Sequence, residues 1–207
     1  MNLPFFTSFI ILVLITQLAI RRSDSKAQKS EEEFWERERR ANSTRKKSLE
    51  NLNYIYIPMD RLPFGVTEGN DEILSCEKSI KNLSDKKIVN FTGMSNTDLK
   101  LEYGTANITS LSNYDQNYTV LVTTLQKWAK ELYNAGFYKE ATTILEFSVS
   151  TRSDVTASYR LLCDMYRTKL GLSKDEMQKK IDALVPIAES LNSLSKSQIL
   201  ESLNQTS

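Results

Sequence analysis

The chain has 207 residues, with 27 Lys and Arg against 26 Asp and Glu, which gives a formal net charge of +1. This balance argues against a nucleic-acid-binding protein, because no basic excess is available to neutralise phosphates. Histidine is absent, and the two cysteines, Cys76 and Cys163, lack paired ligand spacing; the commonest general base and the usual zinc sites are thereby excluded, and we expect no cofactor and no bound metal.

The first apolar stretch, residues 3–20, contains no charged residue. A helix of these 18 residues would measure about 27 Å, close to the thickness of the hydrocarbon core of a bilayer. A cleaved signal peptide is the alternative, but no basic residue precedes the stretch and no clear cleavage site follows it. The sequence therefore predicts a retained transmembrane anchor over residues 1–22, in contact with the lipid bilayer through residues 3–20.

The orientation of this anchor is predicted from its flanking charges. Basic residues follow the stretch, and the positive-inside rule then places the C-terminal part of a single-pass membrane protein in the cytoplasm. Asn-X-Ser/Thr acceptor sequences favour the extracytoplasmic alternative. The basic residues are Arg21, Arg22, Lys26 and Lys29, and the acceptor sequences begin at Asn42, Asn82, Asn90, Asn107, Asn117 and Asn204.

Residues 23–51 are predicted to form a charged juxtamembrane helix or linker. Acidic residues come first and basic residues last between Ser30 and Lys47, which is the order that a helix dipole favours. Phe34 and Trp35 interrupt the polar surface. Trp35 is expected either to pack on the domain or to rest on lipid headgroups.

Residues 52–70 are predicted to form an extended strip followed by a loop. The strip contains the β-prone run from Tyr54 to Ile57, and Pro58 and Pro63 each favour extended geometry in the residue before them. Its many apolar side chains argue against a free linker, so we expect the strip to pack along the helices that follow.

Residues 71–207 are predicted to form one helical domain. Asp71 is expected to cap a helix through about Leu83, and Ser84 a short helix that ends near Gly93. Residues 97–103 add a further turn or two. Asp115 or Asn117 is expected to cap a long helix that leads into a helical hairpin.

The hairpin spans residues 125–148 and is the clearest pattern in the chain. Apolar residues recur at helical spacing up to Tyr133 and again from Tyr138, and Asn134-Ala-Gly136 separates the two runs. Gly136 supplies the left-handed conformation that ends a helix, and so short a connection makes the two helices antiparallel.

This hairpin resembles the tetratricopeptide repeat, a helix-turn-helix unit of about 34 residues. Trp128 and Ala129 occupy its adjacent large and small positions, Gly136 its turn, and Tyr138 and Ala141 positions on its second helix. The clearest repeat covers residues 122–155, a degenerate repeat covers residues 156–194, and a terminal helix over residues 195–204 covers the open end. The resemblance implies an all-α fold, in which a small antiparallel helical-hairpin array follows the transmembrane helix and the extended strip.

The second repeat departs from the pattern of the family. Gly171 comes late, Asp175 takes the place of a small residue, and Pro186 falls inside the second helix. A looser hairpin with a kink near Pro186 is therefore expected.

The resemblance also implies a binding face. In tetratricopeptide arrays the outward side chains of the first helix of each hairpin line a concave surface that binds an extended peptide. Cations outnumber Asp164 among the corresponding residues, so an acidic peptide would suit the surface; an ordinary solvated helix face is the alternative. The corresponding residues are Gln126, Lys130, Tyr133, Asn134, Arg160, Asp164 and Arg167.

These patterns predict a membrane-anchored adaptor or scaffold that binds a protein or peptide partner. An anchor would raise the effective concentration of the module for membrane partners. An exported or surface-anchored protein of the same fold is one alternative. An enzyme is another, although the sequence lacks a phosphate loop, a nucleophile elbow and a metal-ligand cluster, and no catalytic residue is predicted. The chain also resembles small bacterial proteins with an N-terminal anchor, which implies no particular activity.

Overall fold

The computed structural model of the chain describes residues 16–17, 28–67 and 69–204. The regular structure in these ranges is helical throughout, and no β-strand occurs among them. The predicted all-α class is therefore confirmed for the part of the chain that the structure describes.

From residue 28 onward, helices account for most of the described chain. The α-helices are α1 (residues 28–43), α2 (Asp71–Lys81), α3 (Asn96–Tyr103), α4 (Ile108–Asn134), α5 (Tyr138–Ser150), α6 (Thr156–Asp164), α7 (Lys174–Glu189) and α8 (Lys196–Asn204). A 3-10 turn, Thr105–Asn107, precedes α4, and a π-helical segment, Met165–Lys169, continues α6.

The predicted transmembrane anchor is wrong. None of the helices in the described ranges is long and apolar enough to cross a bilayer. A spanning helix needs about 20 consecutive and predominantly apolar residues, whereas the 27 residues of α4 include charged residues such as Asp115 and Lys127. Residues 3–20, where the sequence predicts the anchor, lie outside the described residues apart from Thr16 and Gln17. The single-pass localisation predicted from this run is wrong as well, because hydropathy alone does not establish a spanning helix.

The chain divides into two compact units. The first contains the described residues up to Ser48 together with Ser95–Ile108, and the second contains Leu49–Met94 and the described residues from Thr109 onward.

Charged contacts between α1 and α3 hold the first unit together. Arg37 pairs with Asp98, and Lys100 pairs with Glu38. The hydrogen bond from Lys100 is the main reason why the pKa of the Glu38 carboxyl lies below its usual value. On the outer surface of α1, the side chain of Trp35 is 51% exposed.

The turn after α3 is fixed by a buried asparagine. The Asn107 amide nitrogen donates to the carbonyl oxygens of Lys47, at 2.8 Å, and of Tyr103, at 2.7 Å. Both hydrogens of this amide are therefore bonded inside the protein. Asn107, which begins one of the acceptor sequences, has a structural role in the fold.

The apolar stripe of α4 is the centre of the second unit. Leu125, Trp128, Ala129 and Leu132 follow the i, i+3, i+4 and i+7 spacing of one helix face, and all four are fully buried. Residues of α5 through α8 complete the same core.

The strip over residues 52–64 packs on this core without forming a regular element. The ring of Phe64 lies 5.1 Å from that of Trp128, measured between centroids. Just beyond the strip, the buried carboxylate of Glu77 accepts a hydrogen bond of 2.8 Å from the backbone nitrogen of Gly65. The strip is therefore fastened to α2 as well as to α4.

The predicted helix over residues 84–93 is absent, because the backbone of this segment bonds to other parts of the chain. Ile88 and Val89 are also buried, at 1% and 3% exposed. The backbone of the segment bonds elsewhere: the Ile88 oxygen accepts from the nitrogen of Ile55 at 2.9 Å, and the Val89 nitrogen donates to the oxygen of Tyr114 at 3.4 Å.

Two helix starts also differ from the prediction. Asn70, and not Asp71, caps α2, and its side chain accepts from two backbone nitrogens of the first turn. Helix α4 begins at Ile108 and not at Asp115 or Asn117, because the preceding 3-10 turn leads directly into it. Asp115 and Asn117 instead bond the segment before α3: Oδ1 of Asp115 accepts from the Phe91 nitrogen at 3.4 Å, and the Asn117 amide donates to the Lys87 oxygen at 3.0 Å.

The connection between α4 and α5 is a Schellman turn. Gly136 has a φ of 85°, its nitrogen donates to the oxygen of Tyr133 at 3.0 Å, and the nitrogen of Phe137 donates to the oxygen of Leu132 at 2.9 Å. These two bonds satisfy carbonyl groups that the helix end would otherwise leave unpaired.

The π-helical segment explains the late position of Gly171. The nitrogen of Leu170 donates to the oxygen of Met165, five residues earlier, at 3.1 Å, and such a turn holds one residue more than an α-turn. Gly171 follows Thr156 by 15 positions, whereas Gly136 follows Val122 by 14. Farther along, α7 continues through Pro186 as far as Glu189.

Replacing Trp128 with Ala should destabilise the second unit by about 3 to 5 kcal/mol, since it removes a large aromatic from the middle of a packed core. Urea unfolding followed by circular dichroism measures the change. Trp35→Ala is the matched control and should change the free energy of unfolding by less than about 0.5 kcal/mol, since Trp35 is half exposed. Equal effects of the two substitutions would contradict the placement of Trp128 at the centre of the core.

Two glycines should respond differently to alanine. Gly136→Ala meets no atom within 4 Å, so its cost is the left-handed backbone alone, about 1 to 2 kcal/mol. Gly93 also has a positive φ, and the Cβ of an alanine at this position would lie 2.3 Å from the Asn192 carbonyl oxygen. We expect the larger loss of stability for Gly93→Ala, measured by thermal unfolding; the reverse order would contradict the close approach at Asn192.

Candidate functional site

Two hydrogen bonds join α4 to α6 and place the helices side by side. The Ser158 hydroxyl donates to Oε1 of Gln126 at 2.7 Å, and the Tyr133 hydroxyl donates to Oδ2 of Asp164 at 2.9 Å. Residue numbers increase together along both helices, so α4 and α6 run in the same direction. The segment between them, α5, reverses the chain and contacts α6 as well.

Lys130 and Arg160 lie between these two hydrogen bonds. Lys130 follows Gln126 by four residues and precedes Tyr133 by three, while Arg160 precedes Asp164 by four; such spacings keep side chains on one helix face. Both residues are exposed. Neither side chain has a hydrogen bond or an ion pair within the described residues, so the two charges are available to a ligand.

Tyr133 belongs to a cluster of aromatic and cationic side chains at the end of α4. Its ring meets that of Tyr138 edge to face, with 5.3 Å between centroids. The ammonium of Lys169 lies 5.8 Å from the Tyr133 ring and 5.4 Å from the Tyr138 ring, within the range of cation–π attraction. The hydrogen bond to Asp164 is the main reason why the pKa of Tyr133 is raised.

Lys169 and Tyr138 are not among the predicted site residues. The late position of Gly171 is the signal in the sequence, because an extra residue in the turn rotates everything after it around the helix axis. If α6 continued as a regular α-helix, Lys169 would point away from the rings of Tyr133 and Tyr138.

Arg167, a predicted ligand contact, bonds within the protein instead. Its Nη2 donates to the backbone oxygens of Leu203, at 3.2 Å, and of Ser202, at 3.5 Å. These carbonyls lie in the last turn of α8, where the helix dipole favours a cation. Arg167 therefore fastens α8 to α6. Asn134, by contrast, is exposed at the last position of α4.

A neighbouring side of α4 already contacts another helix. Lys127 pairs with Glu72 of α2, and this contact is the main reason why the pKa of the Lys127 ammonium is raised. The ion pair joins α4 to α2 and leaves the Gln126 side of α4 to face α6. The face formed by α4 and α6, which we call the α4/α6 face, thus keeps the unpaired cation Lys130.

The α4/α6 face carries more positive than negative charge. Lys130, Arg160 and Lys169 are cationic, and the single carboxylate, Asp164, accepts a hydrogen bond from Tyr133 and one of 3.4 Å from the Thr168 hydroxyl. Such a surface can hold an anionic ligand by charge and hydrogen bonding. In the ranges that the structure describes, no group of three or more Cys, Asp or Glu side chains could hold a metal ion.

Comparison with known proteins finds no matching family model and no significant match among curated proteins or solved structures.

Replacing Tyr133 with Phe removes the hydroxyl that bonds Asp164 and keeps the ring that meets Tyr138 edge to face. We expect a loss of about 1 kcal/mol in the free energy of unfolding, as for a typical intramolecular hydrogen bond, measured with urea at neutral pH. Tyr56→Phe removes a hydroxyl from a side chain that is 82% exposed and should leave stability unchanged. If the two variants lose the same stability, the Tyr133 bond does not join α4 to α6.

Proposed function

We propose that the second unit is a protein-interaction module, and that its α4/α6 face binds an extended, acidic segment of a protein partner. The observation that carries the proposal is the pair of unpartnered cations, Lys130 and Arg160, held between the two hydrogen bonds that join α4 to α6. An exposed cation without an intramolecular partner loses little hydration by binding an anion at the surface, whereas a paired cation must first break a contact.

The order of the helices supports a tetratricopeptide-like array as the frame of this module. Two successive hairpins, α4 with α5 and then α6 with α7, are followed by α8, which contacts both α6 and α7. In the second hairpin, α7 contacts the π-helical continuation of α6, Met165–Lys169. The first helices of the two hairpins are parallel neighbours, and this is the arrangement that lets arrays of this type present a continuous face. In this proposal α8 is the cap that covers the last hairpin.

Polar groups on the α4/α6 face suit an extended backbone as well as acidic side chains. The exposed amide of Asn134 can both donate to and accept from a peptide backbone. Tyr133 and Tyr138 offer aromatic rings at one end of the face. Carboxylates of the bound segment would approach Lys130 and Arg160, and a neutral segment would lose this contribution.

The test is a binding measurement with a fluorescein-labelled peptide that carries alternating glutamates, compared with a peptide of the same length in which glutamines replace them. We expect the glutamate peptide to bind the full chain more tightly. Added salt should weaken the binding, because the Debye length falls to about 10 Å at 0.1 M and exposed charges are screened.

Two double variants assign this binding to the face. Lys130→Glu with Arg160→Glu should weaken it by about 1 to 2 kcal/mol, or about tenfold, since two exposed attractions become repulsions. Lys86→Glu with Lys179→Glu makes the same change in net charge at other exposed lysines of the second unit and should have little effect. Equal weakening in both variants would show a general charge effect and contradict the proposal, as would the absence of any preference for glutamate.

A further inference from the structure

The second unit contains a polar cavity that the proposed function does not use. Its volume is about 460 Å³, within the range of about 300 to 1,000 Å³ that is typical of small-ligand sites. Its walls come from residues 53–55, from Asn90 and Thr92, from residues 150–152 at the end of α5, and from residues 190–192 after α7.

Asn90 builds the wall of this cavity. Its amide nitrogen donates to the backbone oxygens of Thr151, at 3.1 Å, and Arg152, at 3.0 Å, and to the hydroxyl of Tyr118, at 2.9 Å. Its Oδ1 accepts from the backbone nitrogen of Thr92 at 2.8 Å. All of its polar atoms are therefore occupied, and it fixes the turn between α5 and α6.

Other polar side chains of the wall are available to a ligand. Asn53 and Arg152 are exposed, and neither side chain has a hydrogen bond or an ion pair within the part of the chain that the structure describes. Asn192 donates from its nitrogen to the Gly93 oxygen at 3.3 Å, which leaves its own side-chain oxygen free to accept.

Arg152 also adopts a left-handed backbone conformation, with a φ of 59°, and it is the one non-glycine residue to do so in the described ranges. A glycine would adopt this conformation without strain. Position 152 therefore carries a long cationic side chain although its backbone conformation favours glycine. It lies in the turn between α5 and α6 that Asn90 fixes.

The charges around the cavity decide the class of ligand. The guanidinium of Arg152 contributes one positive charge, but the C-termini of α5 and α7 also end in the wall, and each helix C-terminus carries about half a negative charge. The Lys196 ammonium donates to the Glu189 carbonyl at the end of α7, and the exposed carboxylate of Glu189 carries the opposite charge. These contributions nearly cancel, so the site favours a neutral ligand over an anion. Amide and guanidinium groups match a molecule with many hydroxyls, which both donate and accept.

We propose that this cavity binds a neutral, polyhydroxylated small molecule of the mono- or disaccharide class, held by the side chains of Asn53, Arg152 and Asn192.

The probes are D-glucose and maltose, titrated into the full chain and followed by saturation-transfer NMR, with acetate as the anionic comparison. We expect at least one of the two sugars to bind at millimolar concentration, and acetate not to bind. Asn53→Ala and Arg152→Gly should each weaken sugar binding about tenfold through the loss of hydrogen bonds to the ligand. Asn51→Ala, at a nearby exposed asparagine, is the matched control and should leave the affinity unchanged.

The outcomes separate the proposal from its alternatives. Arg152→Gly should keep the urea midpoint of the wild type, because glycine accepts the left-handed backbone, so weaker binding in this variant is not explained by unfolding. Binding that survives both Asn53→Ala and Arg152→Gly would place the sugar elsewhere and overturn the proposal. Acetate binding without sugar binding would identify an anion site and overturn it too, as would the failure of both sugars to bind.

Discussion

The second unit depends on the burial of a single face of α4. Trp128 and the apolar residues beside it are removed from water entirely, and the elements around them are positioned by contact with this face. Phe64 brings the extended strip against the indole ring, and α5 turns back at Gly136 so that its own apolar side meets the same core. Because burial of this kind has no direction of its own, specific polar contacts are needed to fix the order of the surrounding helices. Tyr133 to Asp164 and Lys127 to Glu72 supply them on the two sides of α4.

The sequence predicts those parts of the fold that local patterns determine. Helical spacing with a glycine between two apolar runs is enough to indicate α4, α5 and their turn, because the stripe and the Schellman geometry depend on residues close in the chain. Residues 84–93 are different: Ile88 and Val89 bond to Ile55 and Tyr114, partners that no local pattern reveals. The apolar run over residues 3–20 is a case in which a clear local pattern leads to a wrong prediction, because hydropathy alone is not sufficient evidence for a spanning helix.

The candidate face is predictable in part for the same reason. Positions such as Lys130 and Arg160 follow from helix periodicity, and they remain exposed in the structure. Arg167 has the same periodicity but reaches the end of α8, which depends on how a distant helix packs. The cavity lined by Asn53, Arg152 and Asn192 could not be predicted from local patterns, since separate parts of the chain form it.

The π-helical turn has a consequence for comparing this chain with others. The turn at Met165–Lys169 holds one residue more than an α-helical turn would, and Ser173 caps α7 shortly after it. An alignment with a chain that lacks this turn requires a gap inside a helix, where alignment methods penalise gaps most heavily. A relationship of this kind is easier to detect by superposing backbones than by comparing sequences.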